Sequence, residues 1–401
     1  MAYDALTIDT NIPIQGGLKL EAGLLGQLAQ FKDERPEVVL SEIAIREIHR
    51  HLTQQVKKAR DAIVSAASRV EDVQLLDTGA AAALKAQLAA LDQPRTVAGA
   101  RLRRFLEATG ATTIPVSLAP MDDVVRAYFA ASPPFEATGP KKDEFPDAIA
   151  LMSIEAWAKA GGKKVLAISD DKGWIEFGQA SEHVDVEPDF AKALEIVQEH
   201  AEAAEAAMAS LLAKIEGGEL PDVAAGVEAG ISRALADWQF VAEGGGSFSL
   251  EVDATELDLI SYEFDKFGGD YDITVVRIGS SDVVARIGLT ITANARADFS
   301  LAAWDSVDKE YMDMGSRSAE LEVEFNASIL LMLAGDISGD LGELQVEKVE
   351  LVEAVGSVDF GEIELDYDDD EDYQAWLAEE HEAEMAAERA SELDEPEAVP
   401  F

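Results

Sequence analysis

The spacing of apolar and polar residues changes character once along this chain. Near the N-terminus, Ala5-Leu6-Thr7-Ile8 is a short, largely apolar run that stops at Asp9-Thr10-Asn11. Such a run reads as a buried strand of a parallel sheet. Residues 18–31 repeat apolar positions at helical spacing and predict a crossover helix. A second strand is expected at 37–41, leading straight into a helix with Ser41 as its N-cap. Residues 54–108 are Ala-rich and predict a helical hairpin inserted into the α/β framework. A short strand at 113–116, a helix at 121–130 and a Pro- and Gly-rich loop at 132–140 follow. Pro146 opens another helix, which Gly161-Gly162 stops. Residues 164–171 then repeat the form of the first strand: apolar run, hydroxyl residue, carboxylate.

Beyond about residue 190 the pattern changes. Residues 190–216 predict one acidic, Ala-rich helix, and 221–240 a second that ends near Trp238. Glu243 and the three glycines after it read as a linker. Alternating runs at 248–252, 271–276, 283–294, 320–325 and 344–352, separated by Gly- and Asp-rich turns, predict an antiparallel β-domain. An acid run at 366–372 and an amphipathic helix at 374–393 close the chain. The expected layout is an α/β domain at 1–190, an acidic helical connector at 191–242, a β-rich domain at 243–365 and an acidic tail at 366–401.

Charge sharpens that division. The net charge of −47 is not uniform: residues 1–198 hold 22 basic and 29 acidic side chains, the remainder 10 and 50. A uniformly acidic surface would repel nucleic acid, but the first half is nearly balanced. With no cysteine, disulfides and thiolate metal sites are excluded. No basic-then-apolar leader precedes the first strand, and no apolar run approaches a membrane span. A cytoplasmic protein is the expectation.

Four acids of the first half stand where chemistry is expected. Asp9 follows the first strand, and ligands of open α/β sheets bind outside the carboxyl ends of the strands. Glu47 lies within a helix, beyond the reach of the capping argument that accounts for Glu42. Asp147 sits in a first helical turn, and Asp170-Asp171 ends a later strand. Carboxylates raise one another's pKa when they converge. A hard divalent cation relieves that repulsion and can activate water against a phosphodiester. Competing classes lack their parts: an aspartyl-nucleophile phosphatase needs a second acid where Asn11 stands, and a nucleotide-binding fold needs a glycine-rich loop after strand one. His49 and His51, two apart on a helix, face different directions and do not make a zinc pair.

Asp9-Thr10-Asn11, the stretch from Ser41 to Glu47, Asp147-Ala-Ile-Ala-Leu and Ser169-Asp-Asp171-Lys-Gly-Trp174, in this order, resemble the four signature segments of the PIN-domain ribonucleases. Residues 144–148 (EFPDA) resemble a bacterial subgroup of that family. The resemblance spans about 1–190 and implies a three-layer α/β/α fold with a parallel sheet that cleaves RNA with Mg²⁺ or Mn²⁺. It implies that Asp9, Glu47, Asp147 and Asp171 bind the metal and carry catalysis. Thr10 and Asn11 would orient Asp9, Ser169 would hydrogen-bond the site, and Asp170 competes with Asp171. Lys141, Lys142, Arg46 and Arg50 are the candidate substrate contacts, with a solvated surface as their plain alternative. RNA is favoured and single-stranded DNA is a second substrate. The alternative is a non-catalytic PIN-like scaffold whose β-domain recruits a protein. The acidic C-terminal half is expected to bind a protein partner or to mimic nucleic acid and restrain the nuclease; a homodimer is a further expected assembly.

Overall fold

The computed structural model describes residues 2–72, 78–90, 92–135, 144–305 and 309–363. The expected tail at 366–401 and the candidate contacts Lys141 and Lys142 lie outside the described residues. Two compact units are present. The first comprises Met1–Asp237, Leu259–Thr292 and Glu324–Ala354, the second Trp238–Asp258, Ala293–Val323 and Val355–Phe401.

The first unit is built on β1 (Ala5–Ile8), whose residues are all buried and alternate between two cores. Leu6 and Ile8 enter one core with Val38, Leu40, Leu166 and Ile168, while Ala5 joins Val39, Val165 and Ala167 in the other. That period-2 division places helices on both faces of the sheet. After β1 come α1 (Asn11–Gln15) and α2 (Gly23–Gln27), then β2 (Glu37–Ser41) and α3 (Glu42–Asp72). The helices α4 (Thr78–Ala89) and α5 (Pro94–Thr109) lead to β3 (Thr112–Ile114) and α6 (Met121–Ala130). The chain continues with α7 (Phe145–Gly161), β4 (Val165–Ile168), α8 (Lys172–Ala180) and β5 (Val184–Glu187).

These strands form a five-stranded sheet of order β3-β2-β1-β4-β5, and every neighbouring pair is parallel. The chain winds outward from β1 through β2 to β3, then crosses back and winds the other way from β4 to β5. The switch between the two directions lies between β1 and β4, the place where an open α/β sheet leaves a crevice beyond its strand ends.

Several expected elements take a different form. A helix over 18–31 is not formed: Leu18, at φ 58°, and Gly23, at φ +60°, adopt left-handed backbone, leaving the short α2 and a 3₁₀ turn at Leu28–Phe31. The hairpin expected at 54–108 does not begin with a helix of its own, because α3 runs unbroken for 31 residues from the Glu47 motif into the Ala-rich stretch. The single helix expected at 190–216 is two, α9 (Phe190–Ile196) and α10 (Ala201–Glu216), interrupted where His200 turns left-handed at φ 67°. After α11 (Pro221–Ala236), the glycine linker expected near 243 is instead a strand, β6 (Val241–Gly245).

The β-rich region holds β7 (Ser249–Phe264), β8 (Lys266–Phe267), β9 (Asp270–Tyr271), β10 (Ile273–Ile278), β11 (Asp282–Asp305), β12 (Glu310–Ala334), β13 (Gln345–Glu353) and β14 (Ser357–Glu362). Strands β10, β11, β12 and β13 follow one another in a sheet; β10 pairs antiparallel with β11, and β12 with β13. Within the first unit this sheet packs on the α/β framework. Val276, Val284 and Leu330 share a core with β1 and β4, and the Val276 carbonyl accepts hydrogen bonds from Gln30 at 3.0 Å and Gln198 at 3.1 Å. In the second unit β6 pairs parallel with β14, and Phe240 and Phe299 meet Phe360. Glycines in β6 and just after it permit this approach: a Cβ on Gly244 would fall 2.9 Å from an Ile363 side-chain carbon, and one on Gly246 2.7 Å from the Ile363 carbonyl oxygen.

Candidate active site

At the carboxyl end of β1, Asp9 is only 7% exposed. The Ser169 hydroxyl, just beyond β4, donates to it at 2.7 Å, and the Thr10 amide donates at 2.5 Å. These bonds hold the carboxylate at the switch between β1 and β4. The same Ser169 hydroxyl accepts from the Asp171 amide at 3.1 Å, so a single side chain ties the two strand ends together.

Asp171 is the N-cap of α8, its Oδ1 accepting from Gly173 at 2.6 Å and Trp174 at 3.3 Å. Glu47, on the second turn of α3, receives the Thr10 hydroxyl at 2.9 Å. Asp147 occupies the first turn of α7, behind Pro146. The charges of the other three expected acids act on Asp147, and those of Glu47 and Asp171 act on Asp9. Burial pushes the Asp147 carboxyl up to about 7, and the charges of Asp9, Glu144, Glu47 and Asp171 push in the same direction. Asp9 rises to about 6, first through burial and then through Asp171 and Glu47, against the lowering effect of the Ser169 and Thr10 hydrogen bonds. Buried acids that repel one another in this way form a negative pocket beyond the sheet.

The neighbouring residues divide differently from the sequence expectation. Thr10 does orient Asp9 through its amide, but its hydroxyl belongs to Glu47. Asn11 does not hold Asp9: its amide nitrogen donates to Asp170, because α1 turns the side chain toward the β4 end. Gln15, one helical turn further on, donates to the other Asp170 oxygen at 2.9 Å. Asp170 is thereby an exposed strut, while Asp171 faces the acid cluster. Glu42 caps structure rather than joining the site, accepting the Val116 amide at 3.2 Å and pairing with Arg46. Arg46 and Arg50 are exposed along α3. Two participants were not singled out from sequence: Gln15, whose signal is its i+4 spacing from Asn11, and Glu144, three residues before Asp147.

The donor set suits a hard divalent cation. It consists of the carboxylate oxygens of Asp9, Glu47, Asp147 and Asp171, the hard oxygen ligands that such a cation takes. Among the described residues no three histidine, aspartate or glutamate side chains stand close enough together to hold a metal ion. A cleft of about 520 Å³, lined by Asp4, Asp33, Glu34, Arg35, Glu37 and Lys163, lies elsewhere, where β1, β2 and β4 begin. Its charges largely answer one another, Lys163 pairing with Glu37 and Arg35 with Asp4.

A family comparison decides the fold's lineage: residues 6–174 match the family model of the PIN domain. The N-terminal module is a PIN domain. Neither a curated protein nor a solved structure matches the chain. PIN domains are as a rule nucleases that act with divalent metal ions, and their partners are nucleic acids. The matched residues include Asp9, Glu47, Asp147 and Asp171 and exclude α9 and everything after it. No helix of the described residues is long and apolar enough to cross a membrane.

Proposed function

We propose that the PIN domain of this chain is a metal-dependent endoribonuclease acting on single-stranded RNA, with single-stranded DNA as a weaker substrate. The observation that carries this reading is that Asp9 and Asp147 are both buried and both raised by the charges of Glu47 and Asp171 at the switch point of the sheet. Four acids from β1, α3, α7 and the β4–α8 turn gain nothing structurally by sharing one pocket; the repulsion costs stability that a functional site can justify. Asp9, Glu47, Asp147 and Asp171 would hold Mg²⁺ or Mn²⁺. The bound ion would neutralise the pocket and lower the pKa of a water for attack on phosphorus. The chain's own residues do the rest. Ser169 and Thr10 fix Asp9 and Glu47, so the carboxylates need little reorganisation when charge develops. The α8 cap fixes Asp171.

The test is cleavage of labelled RNA and single-stranded DNA with Mg²⁺ or Mn²⁺, comparing wild type with Asp9→Asn and Asp147→Asn. Each substitution should reduce kcat by about 100-fold or more. Cleavage that persists in both variants would end this reading. Absence of cleavage in wild type, together with no calorimetric metal binding, would leave the scaffold reading in its place.

A further inference from the structure

Residues 128–135, the end of α6 and the turn after it, run from an exposed aromatic ring toward the elements that carry two of the acids. Tyr128, near the end of α6, packs on Phe145 with ring centroids 4.8 Å apart and on Phe135 at 5.5 Å. Phe145 opens α7 two residues before Asp147, and Phe135 is 2% exposed, so this cluster is rigid and anchored at one acid. The other end of the segment reaches a second acid. A Cβ on Gly173 would lie 3.0 Å from the Pro134 carbonyl oxygen and 3.1 Å from Asp171 Oδ1, so Pro134 rests against the α8 cap. Tyr128, through Phe145, and Pro134, beside Gly173, thus bring residues 128–135 alongside the two elements that carry Asp147 and Asp171.

On that segment one ring points to solvent. Phe129 is 81% exposed, the most open large apolar side chain among the described residues, and its ring meets Tyr128 edge-on at 5.2 Å. Leaving a phenylalanine in water forgoes the gain of burying it, though isolated exposure needs no explanation. Phe129 is not isolated: Met121 and Val125, at i−8 and i−4 on the same helix face, are exposed as well. Arg126, three residues before Phe129, is 75% exposed and, among the described residues, forms an i,i+3 pair with Asp123. Such a surface pair contributes little and yields easily to a phosphate. A cation and an aromatic face on one helix surface, beside two acid-bearing elements, match what unpaired nucleotides offer: phosphate, base and scissile bond.

We propose that Phe129 is a stacking platform for an unpaired base next to the scissile phosphate, so that this segment of the PIN domain selects single-stranded over duplex nucleic acid. The inference rests on the nuclease reading and adds to it the residue that sets strand preference. A base held in a duplex has both faces covered and cannot stack on Phe129; an unpaired base can, and Arg126 holds the adjoining phosphate.

The experiment uses the full chain and a labelled single-stranded RNA of mixed sequence, with the same RNA annealed to its complement. Wild type is compared with Phe129→Ala, Phe129→Leu and Phe129→Trp. For the single strand, KM should rise about 5- to 100-fold in the Ala and Leu variants, more than kcat falls, and Phe129→Trp should restore it. An abasic nucleotide placed beside the scissile bond should abolish the difference between wild type and Phe129→Ala. Cleavage that persists with an unchanged KM in Phe129→Ala would overturn the platform and leave the nuclease standing. Full retention by Phe129→Leu would also overturn it, since leucine supplies apolar area without a stacking face. Wild type that neither binds nor cleaves either RNA would overturn both readings. Because Phe129 packs little, all three variants should keep the wild-type melting temperature, which thermal scanning checks alongside.

Discussion

Asp147 illustrates how function and stability oppose each other at the scale of one side chain. Its carboxyl, pushed up to about 7 by burial and by four neighbouring acids, is a repelling charge near neutral pH. Replacing it with Asn keeps the shape and removes the charge. In metal-free buffer near pH 8, Asp147→Asn should therefore melt about 2–4 °C above wild type, read by differential scanning calorimetry, while cleavage is lost. A lower melting temperature would mean that Asp147 serves packing or capping instead. The positions of Asp9, Asp147 and Asp171 were legible in the sequence because an acid after a strand or in a first turn is a local signal. What Asn11 and Gln15 hold was not legible, since Asp170 is far from both along the chain. Phe129 carried no signal either: an apolar residue on an amphipathic helix reads as core until its neighbours are known.

Among the elements, the break between α9 and α10 shows where helical periodicity misleads. Apolar spacing continues from 190 to 216, yet the left-handed His200 redirects the chain so that both helices can pack on β10. The turn places Glu205 of α10 beside Glu195 of α9, which is 7% exposed and paired with Lys192. Glu205 is pushed up to about 7, chiefly by burial and by its hydrogen bond and charge contact with Glu195. The native state then keeps a proton that the unfolded chain, with an ordinary glutamate pKa, has released. Stability from this contact is full below about pH 4.5 and is lost as pH rises through about 7. In a dry site such a shift would amount to about 3 kcal/mol, but Glu205 is half-open to solvent and screening leaves about 1 kcal/mol. Glu205→Gln keeps a neutral donor for Glu195. It should raise the urea midpoint above wild type at pH 8 and match it near pH 4.5. Equal midpoints at both values would show that Glu195 and Glu205 do not share a proton.

The whole molecule is divided by charge as well as by fold. The residues after 198 carry most of the −47 net charge, whereas the PIN domain is close to balance. We expect the acidic stretch 366–401 to compete with nucleic acid for the basic residues of α3. Its deletion should increase RNA cleavage several-fold at low ionic strength, with the gain vanishing at high salt, where charges separated by more than a Debye length no longer act. Identical rates for both chains at low salt would show that the acidity serves solubility alone.

By itself the sequence determined the elements near the site and which acids stand at their ends. Apolar runs, a serine cap, the Pro146 helix start and four acids in order are all signals read within a few residues, so β1, β2, β4, the start of α3, α6 and α7 were recoverable, and the family with them. Only the tertiary structure decided which acids meet, through the strand order β3-β2-β1-β4-β5, and that the middle of the β-rich region shares a core with the PIN domain. It also turned the Gly244–Gly246 segment from an apparent linker into part of a paired edge, since a glycine that permits backbone approach and one that permits freedom look identical until a partner strand is present. The physical reason is common to all three: each depends on contacts between residues distant in the chain, and local spacing carries no record of its distant partners.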